Sequence, residues 1–427
     1  MKKKYVLIGT GGRAEFFYGA LARDYTDTCE LLAFSDINQT RMDYANRLLE
    51  EKYNHPKINT YHSSEFDQMI EKEKPDYVIV TTVDRTHHTY IIRALELGCD
   101  VITEKPMTVD VEKTQAILDA IERTGKNVRV TFNYRYAPHN TKIRELIRDG
   151  VIGDVHSVHF EWALDTQHGA DYFRRWHRNK RNSGGLLVHK STHHFDLVNF
   201  WLDSIPETVY ASGGLRYYGR ENAEARGVTN FYQRAHGNEY AKDDPFAIDL
   251  EANPHLKAMY LDAEKEDGYQ RDQSVFGDGI DIEDTLGVLV TYKNKAILTY
   301  SLNAYLPWEG FIITFNGSKG RIEVTVREQS YINSGGDKDD EGKLQEKSIR
   351  VLPMFGKSYE VEVQEGKGGH GGGDVVLLQD LFGVPTEDEF NRAASHIDGA
   401  RSIMTGIAGN ISLKTGQAVK IDDLIKF

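Results

Sequence analysis

A chain of 427 residues with a formal net charge of −13 is too long for one ordinary domain and too acidic for a surface that grips nucleic acid or anionic membrane. Hydrophobic residues at 40% and charged residues at 27% describe a globular chain with large buried cores and exclude disorder. The two cysteines, Cys29 and Cys99, form no CxxC pair, so neither a disulfide framework nor a thiolate metal site is expected. The charged start runs into an apolar stretch that stops at Ile8, short of a secretory leader. No later run nears the ~20 residues of a membrane span, and a cytoplasmic protein is expected.

In chain order, Tyr5–Ile8 reads as a buried strand, followed by a glycine turn and a helix to about Arg23. Leu31–Phe34 is a second strand and residues 38–52 a helix. Strands at Tyr77–Val80 and Val101–Thr103 enclose a helical pattern over 87–97, and a helix over 108–124 precedes a strand at Val128–Thr131. Apolar runs alternating with helices predict a doubly wound parallel sheet covered on both faces, an α/β domain over residues 1–130. Residues 131–427 change texture. Strand-like segments at 155–162, 287–291, 296–301 and 311–315, with turns at Lys293-Asn294 and Asn316–Gly320, predict an α+β domain with a large, mostly antiparallel open sheet. A polar insertion, about 218–275, and a second polar stretch, 329–348, read as a functional excursion and a hairpin tip or loop. A helix over 394–415, stopped by Gly416, is placed to pack back on the first domain.

Gly9-x-Gly11-x-x-Ala14 follows a predicted strand and opens a predicted helix, the context of a dinucleotide-binding Rossmann fingerprint. In Gly9-Thr10-Gly11-Gly12-Arg13-Ala14, Gly9 permits the turn, Gly11 lets backbone approach a pyrophosphate, and Ala14 keeps helix and sheet close. Asp36, at the end of the next strand, suits ribose hydroxyls and repels a 2′-phosphate; with no Arg directly after it, NAD is favoured over NADP. Glu104-Lys105-Pro106 closes a strand at the carboxyl end of the sheet. There burial and an oxidised nicotinamide would disfavour the Lys105 ammonium and make it a usable acid/base near neutral pH.

Several further motifs join these in order: Thr82-Val-Asp84-x-x-His87, Arg135-Tyr136-x-Pro138, Gly150-Val-Ile-Gly153, Gly184-Gly185, His193-x-x-Asp196, Asn316–Gly320 and Thr405-Gly-Ile-Ala408 through Val419-Lys-Ile. The ordered set resembles the glucose–fructose oxidoreductase / inositol dehydrogenase / rhizopine catabolism (Gfo/Idh/MocA) family over nearly the whole chain. The resemblance implies a second domain that forms the substrate site and the oligomer interface, giving a homo-oligomer, dimer or tetramer, through its sheet. It implies that Thr82, Asp84, His87, Glu104, Lys105 and Asn133 face the cofactor. It also implies that Lys105 polarises the reacting hydroxyl while His193 exchanges its proton. In one place the chain departs from the family pattern Asp-x-x-x-His: His189 stands where the carboxylate belongs. His189 is expected to tune the pair or replace that acid. Two histidines at i and i+4 share a helix face and have metal-ligand spacing, but no third ligand is in evidence and no metal is expected. His194 is expected to pack.

Candidate substrate contacts are Arg135, at the seam with Asn133 and Tyr134, and Tyr172, Trp176 and His177, whose aromatic faces and polar ends suit a sugar ring. His370, in the glycine loop Gly368–Asp374, joins them, because nothing structural demands so many glycines. The loop is similar to a His-Gly-Gly loop of NAD-dependent α-N-acetylgalactosaminidases. The acidic segment Tyr269–Asp284 is a candidate cap. The leading function is hydride transfer between NAD and a secondary hydroxyl of a sugar, glycoside or cyclitol, a 3-keto-glycoside among the products. The alternative is an NAD-dependent glycosidase working by transient oxidation, elimination, hydration and re-reduction. A reading from another class is a non-catalytic NAD- or sugar-binding regulator.

Overall fold

The computed structural model describes residues 2–328, 344–364, 366 and 369–427. Most of the polar stretch 329–348 and Gly368 of the glycine loop therefore lie outside the described residues.

Tyr5, Val6, Leu7 and Ile8 are all buried, so their strand needs cover on both faces and sits mid-sheet. It forms β1 (Lys3–Ile8), followed by α1 (Ala14–Arg23), β2 (Cys29–Asp36), α2 (Gln39–Tyr53), β3 (Asn59–His62), α3 (Phe66–Glu73), β4 (Tyr77–Val80), α4 (His87–Glu96), β5 (Asp100–Thr103), α5 (Val111–Thr124) and β6 (Val128–Val130). The six strands lie in the order β3-β2-β1-β4-β5-β6 and every pairing is parallel. The order reverses between β1 and β4, which opens a crevice at the carboxyl ends of those strands. Asn38 caps α2 by accepting from the Arg41 amide, and Gly125, at φ 67°, ends α5.

The second sheet runs β14-β13-β12-β11-β7-β10-β9-β8-β15. Its strands are β7 (Val155–Asp165), β8 (Pro206–Gly214), β9 (Thr285–Tyr292), β10 (Ile297–Leu306), β11 (Glu309–Gly317), β12 (Gly320–Glu328), β13 (Leu344–Pro353), β14 (Tyr359–Glu360) and β15 (Val419–Lys420). Pairings are antiparallel except β7 with β10, so the sheet is mixed rather than wholly antiparallel. Both expected turns join strands as read, at Lys293-Asn294 and at Gly317–Gly320, whereas residues 344–348 belong to β13. One face is covered by the helices Ser191–Leu202 and His396–Thr415.

The terminal helix, capped by Ser395 and Asp398, wedges between the two sheets. A Cβ on its Gly399 would stand 2.7 Å from Val130 Cγ2, so only glycine allows this approach to β6. One apolar core therefore runs from β1 across the seam to Ile425. Among the described residues no helix is long and apolar enough to cross a membrane, and both cysteines are buried and free.

Candidate active site

A cavity of about 430 Å³ opens where β1, β4 and β5 end, and both domains line it. At one end the chain turns sharply at Gly9, whose φ is 92° and where a Cβ would meet the Thr82 amide nitrogen at 2.7 Å. A Cβ on Gly11 would instead project into open space, so bare backbone faces the cavity just before α1 begins. That is the cradle a pyrophosphate needs. Asp36 stands beside it. Its Oδ2 accepts from the amide (2.5 Å) and hydroxyl (2.9 Å) of Thr10, and its Oδ1 accepts from the Asn38 amide. A ribose diol would meet the remaining lone pairs. Gly9, Gly11, Gly12, Arg13 and Asp36 line the cavity, while Thr10 and Ala14 shape it from behind. The residues present thus fit a dinucleotide.

Arg13 ties this end to the next, donating from Nε to Glu104 Oε1 at 2.8 Å. Lys105 follows at the end of β5, with its Nζ 3.5 Å from the His189 carbonyl oxygen. Burial is the strongest influence on its ammonium and brings it down to about 8 against the pull of Glu104 and Asp84. His87 is wedged between the carbonyls of Thr82 (3.0 Å) and Pro106 (2.9 Å) and fixes the turn that carries the lysine.

The acid that His189 displaces is supplied from the other domain. Asp84 Oδ2 lies 2.5 Å from His189 Nδ1, both groups buried. Burial raises the Asp84 carboxyl and lowers the His189 imidazole, so the pair favours its neutral forms and shares one proton. Asp84, a candidate cofactor contact, lines the cavity and is paired there with His189. Nor do the two histidines share one helix. His189 ends the helix Leu186–His189, and His193 lies in the first turn of Ser191–Leu202. His193 packs edge-on against Tyr134 at 4.9 Å, and its Nδ1 has no hydrogen-bond partner among the described residues. Burial, then the Lys105 and Lys190 ammonium groups, hold His193 well below its ordinary value. Among the described residues no group of three potential ligands is placed to hold a metal. His194 packs as expected, stacked on Trp162 at 3.9 Å.

Tyr172, Trp176, His177 and His370 all line the cavity. His370 sits at φ 50° with Nδ1 2.9 Å from Asp374, which also accepts from Asn133 Nδ2 at 2.7 Å. Against burial, His370 and then Arg13 hold that carboxyl low. Arg135 does not line the cavity. It is buried in a two-pronged ion pair with Asp196 (2.6 and 2.7 Å) and reaches Asp398 at 3.2 Å, which ties the seam to the terminal helix. The candidate acidic cap is likewise structural at its far end: Asp281 accepts from the Lys180 amide, Glu283 pairs with Lys180, and Asp284 accepts backbone amides of residues 216–218. Only Tyr269 of that segment reaches the cavity.

Two features escaped sequence reasoning: the partners that Tyr172 holds, and the insertion residues that reach the cavity. Glu309, His168 and Tyr172 form a buried chain, Oε1 to Nδ1 at 2.7 Å and Nε2 to the Tyr172 hydroxyl at 2.8 Å. Against burial, the His168 imidazole holds Glu309 below its ordinary value. The partners lie 141 residues apart, which no local pattern announces. Tyr260 and Asp267 of the insertion, with Arg41, also line the cavity. Arg41 lies 3.7 Å from Asp36 but is ion-paired to Asp267, so it is not held out for a 2′-phosphate. The high tyrosine and acid content of the insertion was its only signal.

A parallel sheet with a glycine turn at its switch point, and a half-buried lysine at the strand end two places along, defines a nicotinamide-dinucleotide oxidoreductase. The chain belongs to the Gfo/Idh/MocA oxidoreductase family: residues 3–132 match its NAD-binding Rossmann fold and residues 144–421 its C-terminal alpha/beta domain. The chain is 37% identical to the putative oxidoreductase YteT of Bacillus subtilis over 95% of its own length and 94% of that protein. It is 29% identical to the D-glucoside 3-dehydrogenase of Escherichia coli, over 36% of this chain and 41% of that one. An Agrobacterium radiobacter oxidoreductase, solved with NAD⁺, L-tartaric acid and magnesium, shares the fold at a TM-score of 0.63 and 15% identity, covering 100% of both chains.

Proposed function

We propose that this oxidoreductase transfers a hydride between NAD and a secondary hydroxyl of a sugar, glycoside or cyclitol. The observation that carries the reading is Lys105, a half-buried lysine whose ammonium its surroundings bring down to about 8, at the junction of the glycine cradle and a pocket walled by aromatic and imidazole rings. Bound NAD supplies the hydride acceptor. Lys105 Nζ orients and polarises the reacting hydroxyl, accepting its hydrogen bond as a neutral amine. The proton taken up by the Lys105 amine passes on to His193, kept neutral, which exchanges it onward, and the Asp84–His189 pair supplies the carboxylic acid that the usual pattern carries on one strand of sequence. Trp176 and Tyr172 offer the apolar face of a sugar ring its stacking surface. The glucoside dehydrogenase among the relatives supports a glycoside substrate.

The buried Glu309–His168–Tyr172 chain favours a second reading, the NAD-dependent glycosidase, because elimination of an aglycone needs an acid/base besides the one at the oxidised carbon. A panel of sugars and glycosides, mixed with NAD at enzyme concentrations that reveal a single turnover, separates the two. Reduced nicotinamide formed with an oxidised sugar supports the dehydrogenase. Free aglycone without reduced nicotinamide supports the glycosidase, and silence across the panel removes both.

We further infer association through the outer face of the nine-stranded sheet, where Tyr210, Leu289, Ile297 and Ile312 stand exposed. Light scattering on the eluting peak tests this, and a monomer at micromolar concentration would end it.

A further inference from the structure

The helix His168–Arg174, which brings Tyr172 to the cavity, ends in a cluster of charge. Three guanidinium groups converge on one carboxylate. Asp171 lies 2.8 Å from Arg271 Nη1, 3.1 Å from Arg175 Nη1 and 3.3 Å from Arg174 Nη2. Asp171, Arg174 and Arg271 are buried, while Arg175 keeps 17% of its side chain exposed. Against burial, Arg271, then Arg175 and Arg174, hold the Asp171 carboxyl below its ordinary range. It is therefore ionised, and one negative charge faces three positive. The neighbouring carboxylates are already engaged: Asp272 with Arg234, Glu104 with Arg13, Asp267 with Arg41, and Asp84 with His189.

Of the three arginines, Arg175 alone lines the cavity, and its Nε meets no hydrogen-bond acceptor among the described residues. Lys105 and the buried Lys190 add two ammonium groups to the same wall. Cations gathered in a desolvated corner repel one another, and the cost stands until an anion joins them. A neutral sugar would leave it standing. The phosphates of a dinucleotide offer an oxyanion too, but their donors are on the first domain, at Gly11, Gly12 and Arg13. Arg175 stands on the second, directly before Trp176 and His177, whose rings approach the His189 ring at 6.0 and 4.2 Å. We propose that Arg175 forms an oxyanion site at the end that reacts, and that its occupant is the acid group of a sugar, a carboxylate of the uronic acid type, rather than a phosphate of the dinucleotide. The inference deepens the sugar reading and rests on it. A planar guanidinium suits a planar carboxylate, which it meets with parallel hydrogen bonds. Arg174 and Arg271 are positioning residues: they hold Asp171, and Asp171 holds Arg175. An acid group fastened here restricts which hydroxyl of the ring is offered to Lys105.

Pairs of methyl glycosides that differ only in the acid supply the test: glucoside with glucuronide, and galactoside with galacturonide. Calorimetry on the full chain loaded with NADH reads their binding without need of turnover. In the unmodified protein the acidic member of at least one pair is expected to bind about tenfold to a hundredfold more tightly, the scale of a hydrogen bond to a charged group. Arg175→Gln removes the charge and is expected to erase that ratio, while Arg175→Lys restores the charge and recovers part of it. The NADH dissociation constant, read by fluorescence, is expected to stay in place in both. Far-UV circular dichroism and melting confirm folding. Should either variant unfold, inorganic sulfate titrated into the unmodified protein at constant ionic strength replaces it, and is expected to compete with the acidic glycoside. Equal affinity for both members of each pair, a ratio that survives Arg175→Gln, or sulfate that does not compete would overturn the proposal. So would weaker NADH binding in Arg175→Gln with the ratio intact, which would give the site to the dinucleotide's phosphates. Failure of every glycoside to bind, acidic or neutral, would overturn the sugar reading itself and the proposal with it.

Discussion

The two ends of the crevice are made of different materials. The dinucleotide end is backbone: a glycine turn, a helix start and one carboxylate already satisfied by Thr10 and Asn38. The end proposed to react is made of side chains: the half-buried Lys105 and the buried Asp84–His189 pair, His193 and Asp374–His370 pair. Backbone amides do not ionise near neutral pH, so the first end is indifferent to pH but intolerant of a methyl group at Gly9. The second end tolerates conservative shape changes but depends on where each proton sits.

Four substitutions would break or sharpen that contrast. Lys105→Ala should lower turnover about 10²–10⁴-fold while leaving NADH binding, read by fluorescence, nearly unchanged. In the intact enzyme kcat/KM for oxidation should rise with pH and level off above about 8, because the amine accepts only when neutral, and reduction should fall over the same range. Equal losses of turnover and NADH affinity in the Ala variant would blur the two ends into one. Arg135→Ala should cost about 3–5 kcal/mol of stability in denaturant titration, since Asp196 and Asp398 are left facing each other without their cation. A raised KM with unchanged stability would return Arg135 to the substrate. Asp84→Asn keeps the shape of the pair but removes its acid. Turnover is expected to drop about 10–100-fold, with a shifted pH profile and an unchanged NADH dissociation constant. Gly9→Ala should do the reverse, costing about 1–3 kcal/mol of backbone strain and weakening NADH, with the pH profile of residual activity unmoved.

The same division explains how much could be read before the structure. The first domain was legible because its strands are unbroken apolar runs; β3, an edge strand in which Tyr61 alone is buried, and α3 after it escaped. The glycine turn, Asp36 and Lys105 were legible too, since a motif in its strand–turn–helix context dictates local geometry. What escaped depends on distance in sequence. Nothing near His189 says that its acid sits 105 residues earlier, and nothing near Tyr172 points to Glu309. Arg135 looked like a seam residue that binds substrate; it is at the seam, but its partners, Asp196 and Asp398, claim it. The parallel pairing of β7 with β10 inside an otherwise antiparallel sheet follows from a long-range crossover that strand patterns do not encode.

The pair between Asp84 and His189 also restricts how this chain can recombine with its kin. The acid belongs to one domain and the imidazole to the other. A hybrid joining this first domain to a second domain of the usual pattern would set a second carboxyl facing Asp84 where the His189 imidazole now stands. Such an exchange would preserve both folds and still leave excess acid at the end proposed to react.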